Sequence, residues 1–558
     1  MKDAGAEMTE LLTSAQMRAI EAAAIASGDV TGLELMERAG RGVVEAILAE
    51  WPELRANARR AVILCGPGNN GGDGFVVARL LRARGWEVGV LLYGEPERMP
   101  PDARANYQRW RAMGDALPLS VTGSAQMVPR PDLLIDALFG TGLSRPMPDE
   151  LEPALTSLEQ AWTEGGMRRV SLDLVSGICA TSGRYLVNAD PAQVGRAARP
   201  RRRADLVVTF HRLKLGHVLA DGPEWCGKVV VCDIGLSSAP SAGVVTATHP
   251  RVAALSKDAR DAGQAHKYSH GHALILSGAT GRGGAARLAA RGALRIGAGL
   301  VTVGCPLDAI PENAARLDAV MLRGVADAAA LAEVLDDQRI TALCLGPGMG
   351  TGAREVGLLA VALGIPVPGL TRDPASGGGG RGDAGPGSGP GRGLVLDADA
   401  LTLLSQHPDL VSALPGACVL TPHAGEFARL FPDIAEKLAA PATRGPAYSK
   451  VDATREAAAR AGCVVLFKGP DTVIADPAGR CAINSAHYDR AAPWLATAGS
   501  GDVLAGVITG LIARGLPPFE AACTGAWLHV QCALSFGPGL IAEDLPEELP
   551  KVLRALGL

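Results

Sequence analysis

Apolar positions along this chain follow two rhythms. Between residues 13 and 50 they recur every three or four places, the spacing of one helix face. Thr13 or Ser14 can cap a first helix through Ala26, and 33–49 carries Leu35, Met36, Ala39, Val43, Val44 and Ile47 on one stripe. From residue 61 onward apolar residues come instead as short unbroken runs: 61–65, 88–92, 133–138, 170–174, 206–210 and 229–234. Runs without polar alternation are how strands buried on both faces of a parallel sheet read. Helical patterns such as 75–84 and 102–113 lie between them, so residues 1–236 are predicted to form one doubly wound α/β domain.

Residues 237–250 read as a connector, and a second α/β series fills 251–558. Its predicted strands are 272–277, 300–305, 342–346, 394–397, 418–421, 464–468 and 472–475; its predicted helices are 285–297, 326–335, 452–461, 502–514 and 518–536. The stretch 368–393 is rich in Gly, Pro, Arg and Ser and cannot bury a core, so it is expected to be a disordered surface insertion. No period of 20–50 residues repeats, which excludes a solenoid.

Composition narrows the function classes. A chain of 558 residues needs two or three cores, and 47% hydrophobic with 20% charged residues describes an ordinary globular protein. The net charge of −4 argues against a dedicated nucleic-acid surface; Arg199, Arg201, Arg202 and Arg203 form one local basic run, read as a solvated turn or a phosphate-facing edge rather than an RNA site. Eleven cysteines without Cys-x-x-Cys spacing read as reduced core residues rather than a disulfide frame or zinc site. No signal pattern and no apolar stretch of membrane length stands out, so a cytoplasmic protein with no membrane partner is expected.

Chemistry concentrates where predicted strands end. Gly66-Pro67-Gly68-Asn69-Asn70-Gly71-Gly72-Asp73-Gly74 follows the first run. It satisfies the Rossmann-like Gly-x-Gly-x-x-Gly pattern, a weak signal alone. Asn69 and Asn70 say more, because side-chain carbonyls at a turn can ligate a cation or anchor an amide. Asp136 precedes Gly140-Thr141-Gly142-Leu143-Ser144-Arg145-Pro146, whose N–H groups and guanidinium suit a phosphate. Asp173 ends a third run, in Asp173-Leu174-Val175-Ser176-Gly177.

In the second half, Gly499-Ser500-Gly501-Asp502 opens a helix, where free amides and the helix dipole attract an anion and Asp502 can take a proton from a hydroxyl. Four strand-end loops accompany it: Gly346-Pro347-Gly348, Asp397-Ala398-Asp399, Thr421-Pro422-His423-Ala424-Gly425-Glu426, and Lys468-Gly469-Pro470-Asp471-Thr472. His266, His270 and His272 do not share one face and read as surface or phosphate-facing loop residues rather than a metal cluster.

These motifs resemble the NAD(P)H-hydrate repair enzymes, an N-terminal epimerase domain over about 10–236 and a C-terminal, ribokinase-like dehydratase domain over about 250–556. The resemblance implies that Asn69, Asn70, Gly71, Gly72, Asp73, Gly140–Pro146 and Asp173 bind the hydrated dinucleotide, with Lys214 serving the substrate. It implies potassium on Asn70, Asp136 and Ser176, although Val175 stands where the family usually has Pro. In the second half it implies Ala285, Gly348, His423 and Asp502 at the hydrated nicotinamide, and Lys468, Gly469, Pro470, Asp471, Thr472 and Gly501 at ADP or ATP with Mg2+.

The implied chemistry is coherent. Hydroxide leaves poorly from C6 of a hydrated nicotinamide; phosphorylated, it departs easily with help from the ring nitrogen lone pair. Asp502 is the expected catalytic base; epimerisation can run by ring opening or by water loss and return, with Asp136 or Asp173 as candidate proton carriers, a choice the sequence leaves open. A homo-oligomer is expected. The alternative is a vitamin-precursor kinase fused to a non-catalytic nucleotide-binding module.

Overall fold

The computed structural model describes residues 10–55, 59–120, 128–162, 166–188, 203–237, 243–257, 267–366 and 391–558. Residues 368–390 of the expected insertion, 238–242 of the connector, Arg199, Arg201, Arg202 and His266 lie outside them. The chain divides into two units, Met1–Thr246 with Leu438–Lys450, and Ala247–Lys437 with Val451–Leu558.

The first unit opens with strand β1 (Glu10–Leu12), helix α1 (Ser14–Ala26) and helix α2 (Gly32–Glu50). Thr13 and Thr31 cap these helices, each in a reciprocal capping box with Gln16 or Glu34, which is why they start where the sequence said. Then come β2 (Arg60–Cys65), α3 (Asn69–Ala83), β3 (Glu87–Leu92), α4 (Pro101–Arg111), β4 (Ala116–Pro118), β5 (Leu133–Ala137), α5 (Leu151–Ala161), β6 (Arg168–Leu172), β7 (Ala204–Phe210), β8 (Leu213–Lys214), β9 (Cys226–Cys232) and β10 (Val245–Ala247). The main sheet runs β4-β3-β2-β5-β6-β7-β9, all parallel. Strand order reverses between β2 and β5, so a crevice for a ligand opens at their carboxyl ends. The unbroken apolar runs fill the layers on both sides, with Ile63, Phe75, Ile135 and Val208 among the fully enclosed residues.

Two expectations change here. Helix α3 begins at Asn69, six residues ahead of the expected 75, because the glycine-rich stretch is wound into its first turns. Helix propensity disfavours glycine, yet Gly71, Gly72 and Gly74 press so closely on Gly66, Met36 and Ala137 that no larger residue fits. The connector is not wholly irregular either, since β10 pairs antiparallel with β1.

The second unit's strands run β13-β12-β11-β14-β15-β16-β17-β18-β19, with β11 His272–Leu276, β12 Leu300–Cys305, β13 Met321–Gly324, β14 Ile340–Leu345, β15 Gly393–Leu396, β16 Cys418–Leu420, β17 Val464–Phe467, β18 Asp471–Ala475 and β19 Cys481–Ser485. β11 through β17 are parallel, and β18 and β19 continue the sheet antiparallel. The reversal of order falls between β11 and β14. β13 and β19 were not expected. Both are short, and the exposed Met321 and polar Asn484 interrupt their apolar signal. His272 is correspondingly a buried strand residue, its Nε2 2.8 Å from Thr302 Oγ1, and not the loop histidine expected.

Helices α6 (Gly284–Arg295), α7 (Ala398–Gln406), α8 (Ala424–Leu430), α9 (Ser500–Ala513) and α10 (Pro518–Phe536) carry the site or support it. α9 is enclosed from Val503 to Ala513 and lies against α6 along a seam of small residues. A Cβ on Gly506 would fall 1.9 Å from the Ala289 carbonyl oxygen, so the two backbones are in near contact there. All eleven cysteines are free thiols. No helix among the described residues is long and apolar enough to cross a membrane.

Candidate active sites

The first site lies at the β2/β5 reversal. Gly66 N–H donates to the Ala137 carbonyl at 3.0 Å, tying the two strand ends together. Asn70, on the first turn of α3, faces the Gly140 loop: a Cβ on Gly140 would meet Asn70 Oδ1 at 2.9 Å and Asp173 Oδ2 at 3.1 Å, which is why glycine stands there. Asn70 Nδ2 is buried without a hydrogen-bond partner.

Asp173 follows β6 with a left-handed φ of 63°. Its Oδ2 accepts from Thr141 N–H at 3.0 Å and its Oδ1 from the Thr209 hydroxyl at 2.9 Å, while Lys214 Nζ lies 2.9 Å away. His217 Nε2 lies 2.8 Å from the Asp173 carbonyl oxygen. Burial opposes the charge of Asp173, but the Lys214 ammonium beside it, with its own and Thr209's hydrogen bonds, holds the carboxyl below the usual carboxylate range. Lys214 is itself fully enclosed, so it serves Asp173 and fixes the loop.

Asp136 and Ser176 come together as expected. Ser176 donates to Asp136 through its N–H at 3.0 Å and its hydroxyl at 2.7 Å, and Leu138 N–H adds a third bond at 3.1 Å. The Ser176 hydroxyl also lies 3.3 Å from the Phe139 carbonyl. Of the Gly140–Pro146 loop, Thr141 receives Arg18 of α1 on its carbonyl at 3.3 Å, and Ser144 receives Gly445 N–H on its own at 3.0 Å.

The second site spans the carboxyl ends of β11 and β14 to β17. Gly348 sits beside Ala285, whose methyl would be 3.3 Å from a Cβ there. Gly499 caps α9 in a left-handed conformation, leaving the first amides of that helix unpaired by its own turn, with Asp502 in the first turn. Lys468 Nζ lies 2.7 Å from Asp397 Oδ1 and 3.8 Å from Glu426 Oε2. A Cβ on Gly501 would meet that ammonium at 3.5 Å. Burial, and then the charge of Asp397, pushes the Asp502 carboxyl up to about 6 against the pull of Lys468.

Asp399 accepts from Gly350 N–H at 2.8 Å, linking the β14 and β15 loops. His423 is more than half exposed at 57% and caps α8: its Nδ1 accepts from Gly425 N–H at 3.0 Å, and its Nε2 lies 3.4 Å from Glu426. The turn Gly469–Thr472 is closed by the Thr472 hydroxyl on the Gly469 carbonyl at 2.7 Å.

Sequence reasoning missed several participants. Asp397, Asp399 and Glu426 stood in quoted motifs but were given no role; their position after strand ends was the available signal. His529 of α10 had none. Its Nε2 lies 2.9 Å from the Ser500 carbonyl, and burial brings the imidazole down to about 4, so it is neutral support for the glycine loop.

A family model described as YjeF-related protein N-terminus matches residues 32–216, and one described as NAD(P)H-hydrate dehydratase matches 273–365 and 388–553. The bifunctional NAD(P)H-hydrate repair enzyme Nnr of Moorella thermoacetica is 35% identical over 98% of this chain and 97% of its own. The NAD(P)H-hydrate epimerase of Rhodobacter capsulatus is 52% identical over 41% of this chain and 100% of its own. Among solved structures, the ADP/ATP-dependent NAD(P)H-hydrate dehydratase of Bacillus subtilis, co-crystallised with ATP/Mg2+, is 26% identical over 55% of this chain and 94% of that one, with a TM-score of 0.42. Similarity along both halves does not favour a vitamin-precursor kinase beside an inert module. The two matched models, in this order, and a relative aligned from end to end show that the chain belongs to the bifunctional NAD(P)H-hydrate repair enzyme family.

Proposed function

We propose that this chain performs both repair steps: the first unit interconverts the R and S forms of hydrated NADH and NADPH, and the second dehydrates the S form. ADP is the phosphoryl donor, giving AMP and phosphate. The single observation that carries the second step is the setting of Asp502. A half-buried carboxyl held near 6, beside unpaired helix amides, is a base poised to take the C6 hydroxyl proton as phosphorus is attacked. The amides then face the charge that builds on the transferred group. Elimination of phosphate, driven by the N1 lone pair, restores the dihydropyridine. Gly348 and Ala285, packed against each other, are the residues assigned to the nicotinamide side of this site.

Two cations belong to this reading. Asn70 Oδ1, the Asp136 carboxylate and the Ser176 hydroxyl would supply an all-oxygen set suited to potassium, and the Ser176 hydroxyl already lies 2.7 Å from Asp136. The ion would supply positive charge opposite Asp136. Among the described residues, no group of three or more His, Cys, Asp or Glu could hold a metal. Single carboxylates suit Mg2+ arriving on nucleotide phosphates with its own waters.

The test is direct. Asp502→Ala abolishes NAD(P)H recovery from the S hydrate, followed by absorbance, with either ADP or ATP supplied. Undiminished turnover in that variant overturns the proposal, and comparing the two nucleotides on the wild type assigns the donor.

A further inference from the structure

The two carboxylates that sequence reasoning favoured as proton carriers of epimerisation are both committed elsewhere. Asp173 is held by Thr141, Thr209 and Lys214, and Asp136 accepts from Leu138 and Ser176 and has its proposed place on potassium. Two other carboxyls lie in the same crevice and make no hydrogen bond or ion pair with any described residue: Asp73 and Glu21.

Their placement follows from helix geometry. Asp73 is three residues beyond Asn70 on α3, hence on the face that looks toward Gly140 and Asp173. Glu21 is three residues beyond Arg18 on α1, and Arg18 grips the Thr141 carbonyl at 3.3 Å, so that helix face also looks onto the loop. The Asp173 charge bears on both, that of Glu21 on Asp73, and those of Lys214 and Arg18 on Glu21. Asn70 Nδ2, buried and unpartnered in the same crevice, is a donor still lacking an acceptor. Unsatisfied polar groups gathered at a strand-end crevice are what a bound substrate would complete.

We infer that Asp73 and Glu21 are the proton-carrying pair of the epimerisation, an assignment that rests on reading the first unit as the epimerase. The protonated Asp73 gives its proton to the C6 hydroxyl. The C6–O bond breaks, water leaves, and the N1 lone pair becomes the second bond of an N1=C6 iminium. Ionised Glu21 then takes a proton from water as its oxygen bonds to the opposite face of C6, and the iminium electrons return to N1. The proton passes back between the carboxyls before the next turnover. Burial and the Asp173 charge push both groups above the ordinary carboxylate range, Asp73 further, and two neighbouring carboxyls share one proton more readily than none.

The full chain, given purified S hydrate without nucleotide, is followed chromatographically for R formation. Asp73→Asn and Glu21→Gln are each expected to slow interconversion by about 100-fold or more, with the alkaline limb of the pH profile lost in the first and the acid limb in the second. NAD(P)H recovery from the S hydrate with ADP stays at the wild-type rate in both. Asp73→Glu, which keeps an acid in the crevice, retains part of the activity; a loss equal to that of Asp73→Asn overturns the acid role. Interconversion within threefold of wild type in either amide variant overturns the pairing. A wild type that fails to equilibrate the epimers would instead remove the epimerase reading itself.

Discussion

Lys468 Nζ rests 2.7 Å from Asp397 Oδ1, so the ammonium that the motif offered to a nucleotide phosphate is engaged inside the protein. Asp397 is almost completely buried at 2% exposure and also accepts from the Thr421 hydroxyl at 2.9 Å. Breaking such a pair from one side leaves an uncompensated charge. Asp397→Asn is therefore expected to cost ~3 kcal/mol in urea unfolding, and also to shift the dehydration pH profile downward, because the Asp397 charge is one of the forces raising Asp502. An unchanged profile would show that the two carboxylates are uncoupled.

Dehydration itself should titrate. The base proposed at Asp502 works only when ionised, and its carboxyl sits at about 6, so turnover is expected to rise with pH through that value and fall away below it. Single-turnover rates between pH 5 and 8 check this; a flat profile contradicts it.

The same shift has a stability consequence with a definite sign. A carboxyl raised on folding costs stability when ionised: the cost is absent below its unfolded value near 4 and fully present above the folded value of about 6. Asp502→Asn is expected to be inactive yet ~1–2 kcal/mol more stable at pH 8, after discounting for partial exposure, with the gain fading by pH 4. Thermal melts of variant and wild type at the two pH values decide it.

Asp173 behaves oppositely. Its depressed carboxyl contributes stability that is present above its unfolded value and is lost as pH falls through the folded one. Lys214→Met strands that carboxylate in a buried site, so a loss of ~3–5 kcal/mol and a rise of the carboxyl's pKa are expected, read from unfolding curves and carboxyl NMR titration.

Potassium should matter to the first step alone. Exchanging it for tetramethylammonium, which cannot enter an oxygen cage, is expected to slow epimerisation and leave the ADP-driven step unaffected. Ser176→Ala should weaken the response to potassium added back. Equal loss of both activities would argue against a site at Asn70, Asp136 and Ser176.

The layered α/β architecture was legible because short unbroken apolar runs such as Ala61–Leu64, rich in β-branched residues and followed by glycines, suit strands of a sheet covered on both sides. Asp136, Asp173 and Asp502 were findable for a related reason: Asp136 stands in the last residues of a strand, Asp173 just after one and Asp502 at a helix start. Partnerships were not findable. Lys468 meets Asp397 across 71 residues and Lys214 meets Asp173 across 41, and which strand ends become neighbours depends on the order of strands in the sheet, which residue types do not specify. Glu21 was hidden differently: one polar residue on an amphipathic helix looks like solvent-facing decoration until the loop it overlooks is in view. The start of α3 was misjudged because local propensity disfavours glycine in helices, while close packing at residues 71–74 demands it.

The near contact of α6 and α9 at Ala289 and Gly506 ties the Asp502 carboxyl, the proposed base, to a whole helix pair, since Asp502 stands one turn from that junction. Added bulk deep in this interior would be felt at its polar tip: a single methyl at 506 would pry the amide-lined mouth away from its substrate. Loss of repair could thus arise from a residue that never meets a nucleotide.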